Sequence, residues 1–224
     1  MSERSETTRA RGAILLAGGR ASRVDGAAKP LFEVGGRTLL GAAVEAVRAV
    51  DAAPITVAGP EAVASEVGVD LDGVDFVRED PPFGGPVAGG VAVLDAWRAR
   101  DTVPEWTFVL ACDVPGIAAA VARLAQDAIL LPDDSEGICL ADASGRPQWL
   151  TGLYRTEALV RAAAALDHRG RDAPVRALVA DLPIAVVRAP ADETDDVDTW
   201  EDLKRARTAA GQDAFDTQRT EEAR

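Results

Sequence analysis

Short apolar runs alternate with longer segments of helical period along this chain. Residues 13–16 form an uninterrupted apolar run closed by glycines, which is typical of a buried strand. Over residues 38–50 the apolar positions recur every three or four residues, which indicates a helix with one buried face. The same reasoning predicts three more strands, at 55–58, 75–78 and 107–111, and a second helix at 87–100. Strands and helices at this spacing predict parallel βαβ units in a three-layer α/β fold.

The second half of the chain departs from this alternation. Two predicted strands, 137–141 and 150–154, are joined by the turn-rich segment 142–147, which indicates an inserted β-hairpin. A helix, a strand and a final helix follow, at 156–166, 184–188 and 200–207. We expect one domain over residues 11–210, with a flexible N-terminus at 1–10 and a disordered tail at 211–224.

Composition and charge exclude several classes of function. Hydrophobic residues make up 47% of the 224 positions, enough for a sizeable core. The net charge of -13 argues against an extended surface for nucleic acid. One histidine, His168, and two cysteines exclude a multi-histidine metal site and a disulfide framework. With a polar N-terminus and no long apolar run, we expect a soluble cytoplasmic protein without a membrane partner.

The first candidate for chemistry is the loop after strand 13–16. Ligands of open parallel sheets bind at the carboxyl ends of the strands, and glycines there let backbone amides approach phosphates. Arg20, Arg23 and Lys29 lie in this loop, and residues 9–29 hold five basic residues against one acid. A basic loop in an acidic chain predicts a triphosphate pocket, although neither the P-loop nor the dinucleotide fingerprint is present. The alternative is a flexible glycine turn with solvated arginines.

The second candidate is the loop after strand 107–111, which carries Asp113. A carboxylate at a strand end suits Mg²⁺, which prefers oxygen ligands and bridges phosphates. Ordinary turn chemistry before Pro115 is the alternative. Lys29 is one of only two lysines, and its compact ammonium suits a position between phosphates. Cys112, Trp149 and Trp200 are expected to pack rather than react or stack on a base.

Six ordered segments resemble the MobA-like nucleotidyltransferase family. They are 16–19 with 22–23 and 29–31; 77–80; 85–89; 112–115; 147–148 with 152–155; and 196–203. The resemblance runs from about residue 11 to residue 203. It implies a Rossmann-like, mostly parallel sheet with an inserted hairpin, similar to the nucleotide-diphospho-sugar transferases.

The resemblance assigns roles around the nucleotide. Residues 16–18 correspond to the loop that lies along it, Lys29 to the phosphate-binding lysine, and Asp80 to an acid that helps to hold the guanine nucleotide. With their neighbours, the expected nucleotide-binding residues are Leu16, Ala17, Gly18, Gly19, Arg20, Lys29, Asp80, Gly85 and Asp113.

The resemblance also assigns the metal and the catalytic groups. Asp113 corresponds to the magnesium ligand, and Asp196 and Asp198 to a late acidic motif near the metal. The expected metal ligands are therefore Asp113 and Asp196, and the expected catalytic residues are Lys29, Asp113 and Arg23.

The activity that the resemblance implies is transfer of GMP from GTP to molybdopterin, with Mg²⁺ as cofactor and pyrophosphate as leaving group. It further implies transient contact with the enzymes that make or accept the cofactor. Gln148, Arg155, Arg169 and Arg171 lie in the second half and are candidates to face the acceptor phosphate. The alternative reading of these four is that they are solvated surface groups.

Two other functions stay open at this point. The same fold and loop serve cytidylyl transfer and sugar-phosphate nucleotidyl transfer. A non-catalytic nucleotide-binding partner is suggested by Asp25 and Ala28 within the signature loop, whereas the presence of Lys29 and Asp113 argues against it.

Overall fold

Seven strands form one sheet in the computed structural model, which describes residues 10–18 and 28–222, the last eleven of them as helical backbone only. In chain order the strands of this sheet are β1 Arg11–Leu16, β4 Ile55–Ala58, β5 Val74–Val77, β6 Trp106–Ala111, β7 Gly137–Ala141, β8 Pro147–Arg155 and β9 Ile184–Arg188. A separate antiparallel pair is formed by β2 Glu33–Val34 and β3 Arg37–Thr38. Every strand predicted from the sequence is present.

The order of strands across the sheet is β5-β4-β1-β6-β8-β7-β9. Strands β5, β4, β1 and β6 are parallel, and β9 is parallel to β7. Strand β8 runs antiparallel to both of its neighbours and forms a hairpin with β7. The predicted mostly parallel sheet with an inserted hairpin is therefore confirmed. The carboxyl ends of β5, β4, β1 and β6 lie at one edge, which is where the site is built.

The described residues form six α-helices, five of them between strands and the sixth after β9: α1 Leu39–Arg48, α2 Pro86–Ala99, α3 Ile117–Asp127, α4 Thr156–Ala164, α5 Val175–Val179 and α6 Trp200–Glu222. Helices α3 and α5 were not predicted from the sequence. For α3 the signal was present, because Ile117, Ala120, Val121 and Leu124 recur at helical spacing and are buried.

The last helix is longer than predicted. Helix α6 continues to Glu222 instead of ending near residue 207. The segment after Pro190 contains no proline and is rich in strong helix formers, so nothing in it stops the helix. The N-terminal segment 1–9 lies outside the described residues.

Side chains of β1 alternate between two hydrophobic clusters. Ala13 and Leu15 belong to the cluster that includes residues of α1 and α3. Ile14 and Leu16 belong to the cluster that includes residues of α2 and α4. Because successive side chains of a strand point to opposite faces, helices cover both sides of the sheet. The predicted three-layer arrangement is thereby confirmed.

Within residues 10–18 and 28–222, none of the helices combines the length and the apolar character that crossing a membrane requires.

Candidate functional site

A cavity of about 280 Å³ opens at the carboxyl edge of the parallel strands. Its walls come from the loops after β1, β4, β5 and β6 and from the short 3-10 helix Lys29–Leu31. Leu16, Ala17 and Gly18 line it together with Lys29 and Asp113. Five residues predicted from two distant loops therefore share one cavity. The predicted residues Gly19, Arg20 and Arg23 lie outside the described part of the chain.

Asp113, which lines the β6 end of this cavity, belongs to a cluster of three carboxylates. One oxygen from each of Asp113, Asp196 and Asp198 lies within 4.8 Å of the others. The two late acids reach Asp113 because the backbone N–H of Val197, between them, donates to the carbonyl of Asp113 over 2.8 Å. A backbone contact therefore sets the spacing of the cluster.

The segment that carries the late acids is anchored on α3. The guanidinium of Arg123 donates two hydrogen bonds to the buried carboxylate of Glu193, over 2.5 and 2.6 Å. Val197 is buried in a small cluster with Phe32 and Leu203. These contacts hold the backbone on both sides of Asp196.

The closest approach of this segment to the start of α3 is at Gly116. A Cβ added there would lie 1.8 Å from the carbonyl oxygen of Asp192, a backbone atom that cannot move aside by rotating. Only glycine allows the two segments to meet at this distance.

We expect Gly116→Ala to lower the free energy of unfolding by roughly 1–3 kcal/mol, the cost of forcing atoms into a packed contact. If the carboxylate cluster binds a divalent metal, the substitution should also weaken binding of Mn²⁺ there, because the segment bearing Asp196 and Asp198 must shift. Urea denaturation and equilibrium dialysis measure the two effects. Gly90→Ala is the control, since a Cβ at Gly90 meets no atom within 4 Å. Unchanged stability of Gly116→Ala would contradict the prediction.

Lys29 lies beside the carboxylate cluster. Its ammonium donates to the Oδ1 atom of Asp198 over 2.6 Å, and 18% of its side chain is exposed. The lysine is positioned by the 3-10 helix, which is started by Pro30 and closed by a hydrogen bond from the N–H of Phe32 to the carbonyl of Lys29. The sequence-predicted pair of Lys29 and Asp113 thus lies in one site.

The electrostatics of Asp113 indicate a place for a cation. Its pKa is raised from 3.8 to about 6, chiefly by burial and next by the nearby Asp196 carboxylate, while Lys29 acts in the opposite direction. Burial and the neighbouring Asp198 carboxylate also raise the pKa of Asp196. Clustered carboxylate oxygens that repel one another are the ligands that Mg²⁺ and Mn²⁺ prefer. The residues present therefore fit a divalent metal.

In metal-free buffer we expect ionisation of Asp113 to destabilise the fold. Because its pKa rises from 3.8 to about 6 on folding, the folded state holds the proton more tightly within that window. The free energy of unfolding should fall with rising pH, by on the order of 2 kcal/mol more than in Asp113→Asn, which cannot ionise. Urea denaturation of both proteins at pH 4 and pH 7 measures the difference. Parallel pH profiles would disprove it.

Two neighbouring cavities lie on the β5 side of the site. One, of about 420 Å³, includes Gly85 and shares Glu79 and Phe83 with the first cavity. The other, of about 340 Å³, includes Asp80. Asp80 does not line the 280 Å³ cavity, whereas its neighbour Glu79 does. The acid of this loop that lines the 280 Å³ cavity is therefore Glu79, and the role of Asp80 stays a prediction.

Asp80 and Gly85 were the residues expected from the loop after β5, whereas the residues of the β4 and β5 loops that line the first cavity were not singled out from the sequence; they are Gly59, Pro60, Val63, Arg78, Glu79 and Phe83. The rule that ligands bind at strand ends applied equally to these two loops. The missing signal was the strand order, since the sequence does not show that β4 and β5 lie beside β1.

The candidate acceptor residues are scattered. Arg171 lines both neighbouring cavities, and Arg169 lines the 340 Å³ cavity. Gln148 donates to the Oδ2 atom of Asp142 within the hairpin, over 3.0 Å.

Arg155 lies at the opposite edge of the sheet. It pairs with Trp106 at the start of β6, and its guanidinium lies 4.8 Å from the indole ring. Asp113 lies seven positions after Trp106 along β6 and the following turn, a span of about 23 Å if extended. The structure therefore does not bring Arg155 to the cavity. Sequence proximity to Gly152 and Tyr154 gave no information about which edge it faces.

The residues expected to pack differ in their surroundings. Cys112 is buried in the core, and burial, followed by the Asp113 carboxylate, raises the pKa of its thiol. Trp149 packs against a core cluster. Trp200 is 52% exposed and stacks on Phe32, with ring centroids 5.2 Å apart.

Comparison with known proteins gives a consistent result. The model of one family, described as the MobA-like NTP transferase domain, matches residues 13–188. A molybdenum cofactor guanylyltransferase from Rhodopseudomonas palustris (strain BisB5) is 30% identical over 212 residues, which are 90% of this chain and 95% of that protein.

Solved structures share the fold. The crystal structure of a homologue of Mycobacterium tuberculosis rv0371c, from Mycobacterium sp. strain JC1, has a TM-score of 0.65 at 25% identity and covers 90% of this chain and 97% of that chain. Molybdopterin-guanine dinucleotide biosynthesis protein A from Archaeoglobus fulgidus has a TM-score of 0.62 at 18% identity, over 90% and 99% of the two chains.

Proposed function

This chain belongs to the MobA-like NTP transferase family of nucleotidyltransferases, and we propose that it transfers GMP from GTP to molybdopterin with release of pyrophosphate. The observation that carries the proposal is the pairing of one ammonium, from Lys29, with three clustered carboxylates at a cavity on the carboxyl edge of the sheet. A relative that spans nearly the whole chain is named a guanylyltransferase, which supports the choice of substrates.

The protein contributes to this reaction mainly by positioning the reacting phosphates and neutralising their charge. An oxygen of the acceptor phosphate forms a bond to the α-phosphorus of GTP, and the bond from that phosphorus to the bridging oxygen of pyrophosphate breaks. Lys29 stabilises the negative charge that develops on the leaving pyrophosphate. The loop at 16–18 lies along the nucleotide and keeps the α-phosphate in line with the acceptor.

Asp113, Asp196 and Asp198 would hold the divalent metal, for which we propose Mg²⁺. When bound, it supplies further neutralisation of phosphate oxygens. The three aspartates are anchored through α3 and the Val197 backbone, so the cluster is formed before substrate arrives. Such preorganisation avoids the cost of gathering like charges during the reaction.

Glu79 is the proposed reader of the guanine base. Guanine presents N–H donors on its Watson–Crick edge, and a carboxylate accepts two such bonds at once. Glu79 lines the nucleotide cavity at the β5 end, and its Oε1 atom already accepts from the N–H of Gly84 over 3.1 Å. We propose that Glu79 rather than Asp80 favours GTP over CTP.

The acceptor is proposed to enter from the 420 Å³ cavity. This cavity shares Leu16 and Gly18 with the nucleotide cavity, and Arg171 lies on its wall. A guanidinium there suits an acceptor phosphate, because its planar donors pair with phosphate oxygens. We further propose that the protein works in the cytoplasm, in transient contact with the enzymes that make or accept the cofactor.

Pyrophosphate release by the purified protein tests this function. With molybdopterin and Mg²⁺ present, we expect release with GTP at a rate at least tenfold above that with CTP or UTP. Glu79→Gln should narrow this preference, and Asp80→Asn, a matched change one residue away, should keep it. Faster turnover with CTP would make the protein a cytidylyltransferase. Binding of GTP without any release would make it a non-catalytic binder.

A further inference from the structure

An aromatic side chain is held open to solvent at the junction of two cavities. Phe83 is 50% exposed and lines both the 280 Å³ nucleotide cavity and the 420 Å³ cavity beside it. Its φ of 65° lies in the left-handed region, which a bulky side chain rarely adopts. Strained backbone of this kind persists where the surrounding structure imposes it, often at ligand sites.

The loop around Phe83 is fixed from three sides. The Oε1 atom of Glu79 accepts from the N–H of Gly84, over 3.1 Å. The carbonyl of Gly84 accepts from the N–H of Asp172 over 2.7 Å, and the carbonyl of Pro81 accepts from Arg171 over 2.9 Å. These hydrogen bonds impose the position of Phe83, so its exposure is a built feature of the loop rather than fraying.

The strand order places this loop where a base would lie. Asp113 follows β6 and Phe83 follows β5, and two strands, β1 and β4, separate β6 from β5. Three strand spacings correspond to about 14 Å across the sheet edge. A nucleotide with its phosphates at Lys29 and Asp113, lying along the loop after β1, therefore directs its base toward the β5 end of the cavity.

We propose that Phe83 is a base-stacking residue of the nucleotide site, a platform for the guanine ring, and this inference rests on the function proposed above. The Arg78 guanidinium lies 5.1 Å from the centroid of the Phe83 ring and also lines the cavity. Arg78 thus supports the ring, while Glu79 on the same loop reads the base edge. Stacking on an aromatic ring is tolerant of base identity, so Phe83 supplies affinity and Glu79 supplies selectivity.

Binding of GTP in the presence of Mg²⁺ and the absence of acceptor tests the platform by calorimetry. We expect Phe83→Ala to weaken GTP binding by roughly tenfold or more, the usual effect of removing one stacking ring. Phe83→Leu, which keeps apolar bulk, should weaken it nearly as much, and Phe83→Trp should restore it. Inorganic tripolyphosphate, which has no base, should bind equally to all four proteins. In turnover, the KM for GTP should rise while kcat at saturating GTP stays within about twofold.

The controls separate this inference from the proposed function. Leu130→Ala removes another exposed apolar side chain away from the cavities and should bind GTP like wild type. Failure of the wild-type protein to bind GTP would refute the proposed function itself. Normal GTP binding by wild type and by Phe83→Ala alike would refute only the platform. Equal weakening of GTP and tripolyphosphate, or a changed KM for the acceptor alone, would also refute it.

Discussion

Replacing Asp113 by alanine is expected to slow nucleotidyl transfer by about 10²–10³ while leaving the protein folded, the usual effect of removing one preorganised charge-stabilising contact. Asp113 is largely buried and follows β6, whereas the other two clustered carboxylates lie on the late segment. Without Asp113, only the two carboxylates of the late segment, Asp196 and Asp198, remain as metal ligands. Affinity for Mn²⁺ should therefore fall together with turnover.

The fold should survive this change for two reasons. The bond from the Val197 N–H goes to the backbone carbonyl of Asp113, which alanine retains. The side chain itself is a buried carboxylate with a raised pKa, so its removal takes an unfavourable charge out of the fold. Pyrophosphate release measures turnover, and circular dichroism measures folding.

Asp134→Ala is a suitable control for Asp113→Ala, because Asp134 is an exposed acid on the loop before β7, at the opposite edge of the sheet. It should turn over like wild type. Near-normal activity of folded Asp113→Ala would exclude Asp113 from the metal site.

The second large effect is expected at Lys29. Lys29→Ala should also lower turnover by about 10²–10³, because the leaving pyrophosphate loses the ammonium that neutralises it. Lys29→Arg should recover only part of this rate, since a planar guanidinium does not reproduce a compact point charge. The ion pair with Asp198 places the ammonium of Lys29 beside the acidic cluster. We therefore expect Lys29→Ala to lower kcat strongly while the protein stays folded.

Lys204→Ala is the control for Lys29→Ala, because Lys204 is the only other lysine in the sequence and lies exposed on α6. Lys204→Ala removes one positive charge, as Lys29→Ala does, and should leave turnover unaltered. Equal losses in the two variants would show that overall charge, and not the position of Lys29, matters.

Hydrophobic periodicity predicted most of the elements of the fold. Strands β4, β7 and β9 begin and end at the predicted residues. Helix α1 buries the face that its spacing indicated, with Leu39, Leu40, Ala43, Val44 and Val47 inside. These patterns are local, because in a strand or helix that buries one face the apolar residues recur with the period of that element. Helix α3 had the same signal and was overlooked, and α5, at five residues, is too short to carry one.

The candidate site divides differently. Lys29 and Asp113 were predicted as a pair from motifs, and the structure places both on one cavity. Glu79 and Phe83 were not predicted, because their importance depends on β5 being two strands from β1. Arg155 was assigned to the acceptor on sequence alone, although the antiparallel direction of β8 carries it to the far edge.

The sequence by itself therefore determined the α/β class, the strands and the two loops that carry Lys29 and Asp113. Each of these depends on residue type and short-range spacing. Only the tertiary structure decided which loops meet at the cavity, how Val197 brings Asp196 and Asp198 to Asp113, and that Phe83 stands at its β5 end. Strand order and strand direction determine which loops lie next to one another, and both arise from packing between residues far apart in the chain.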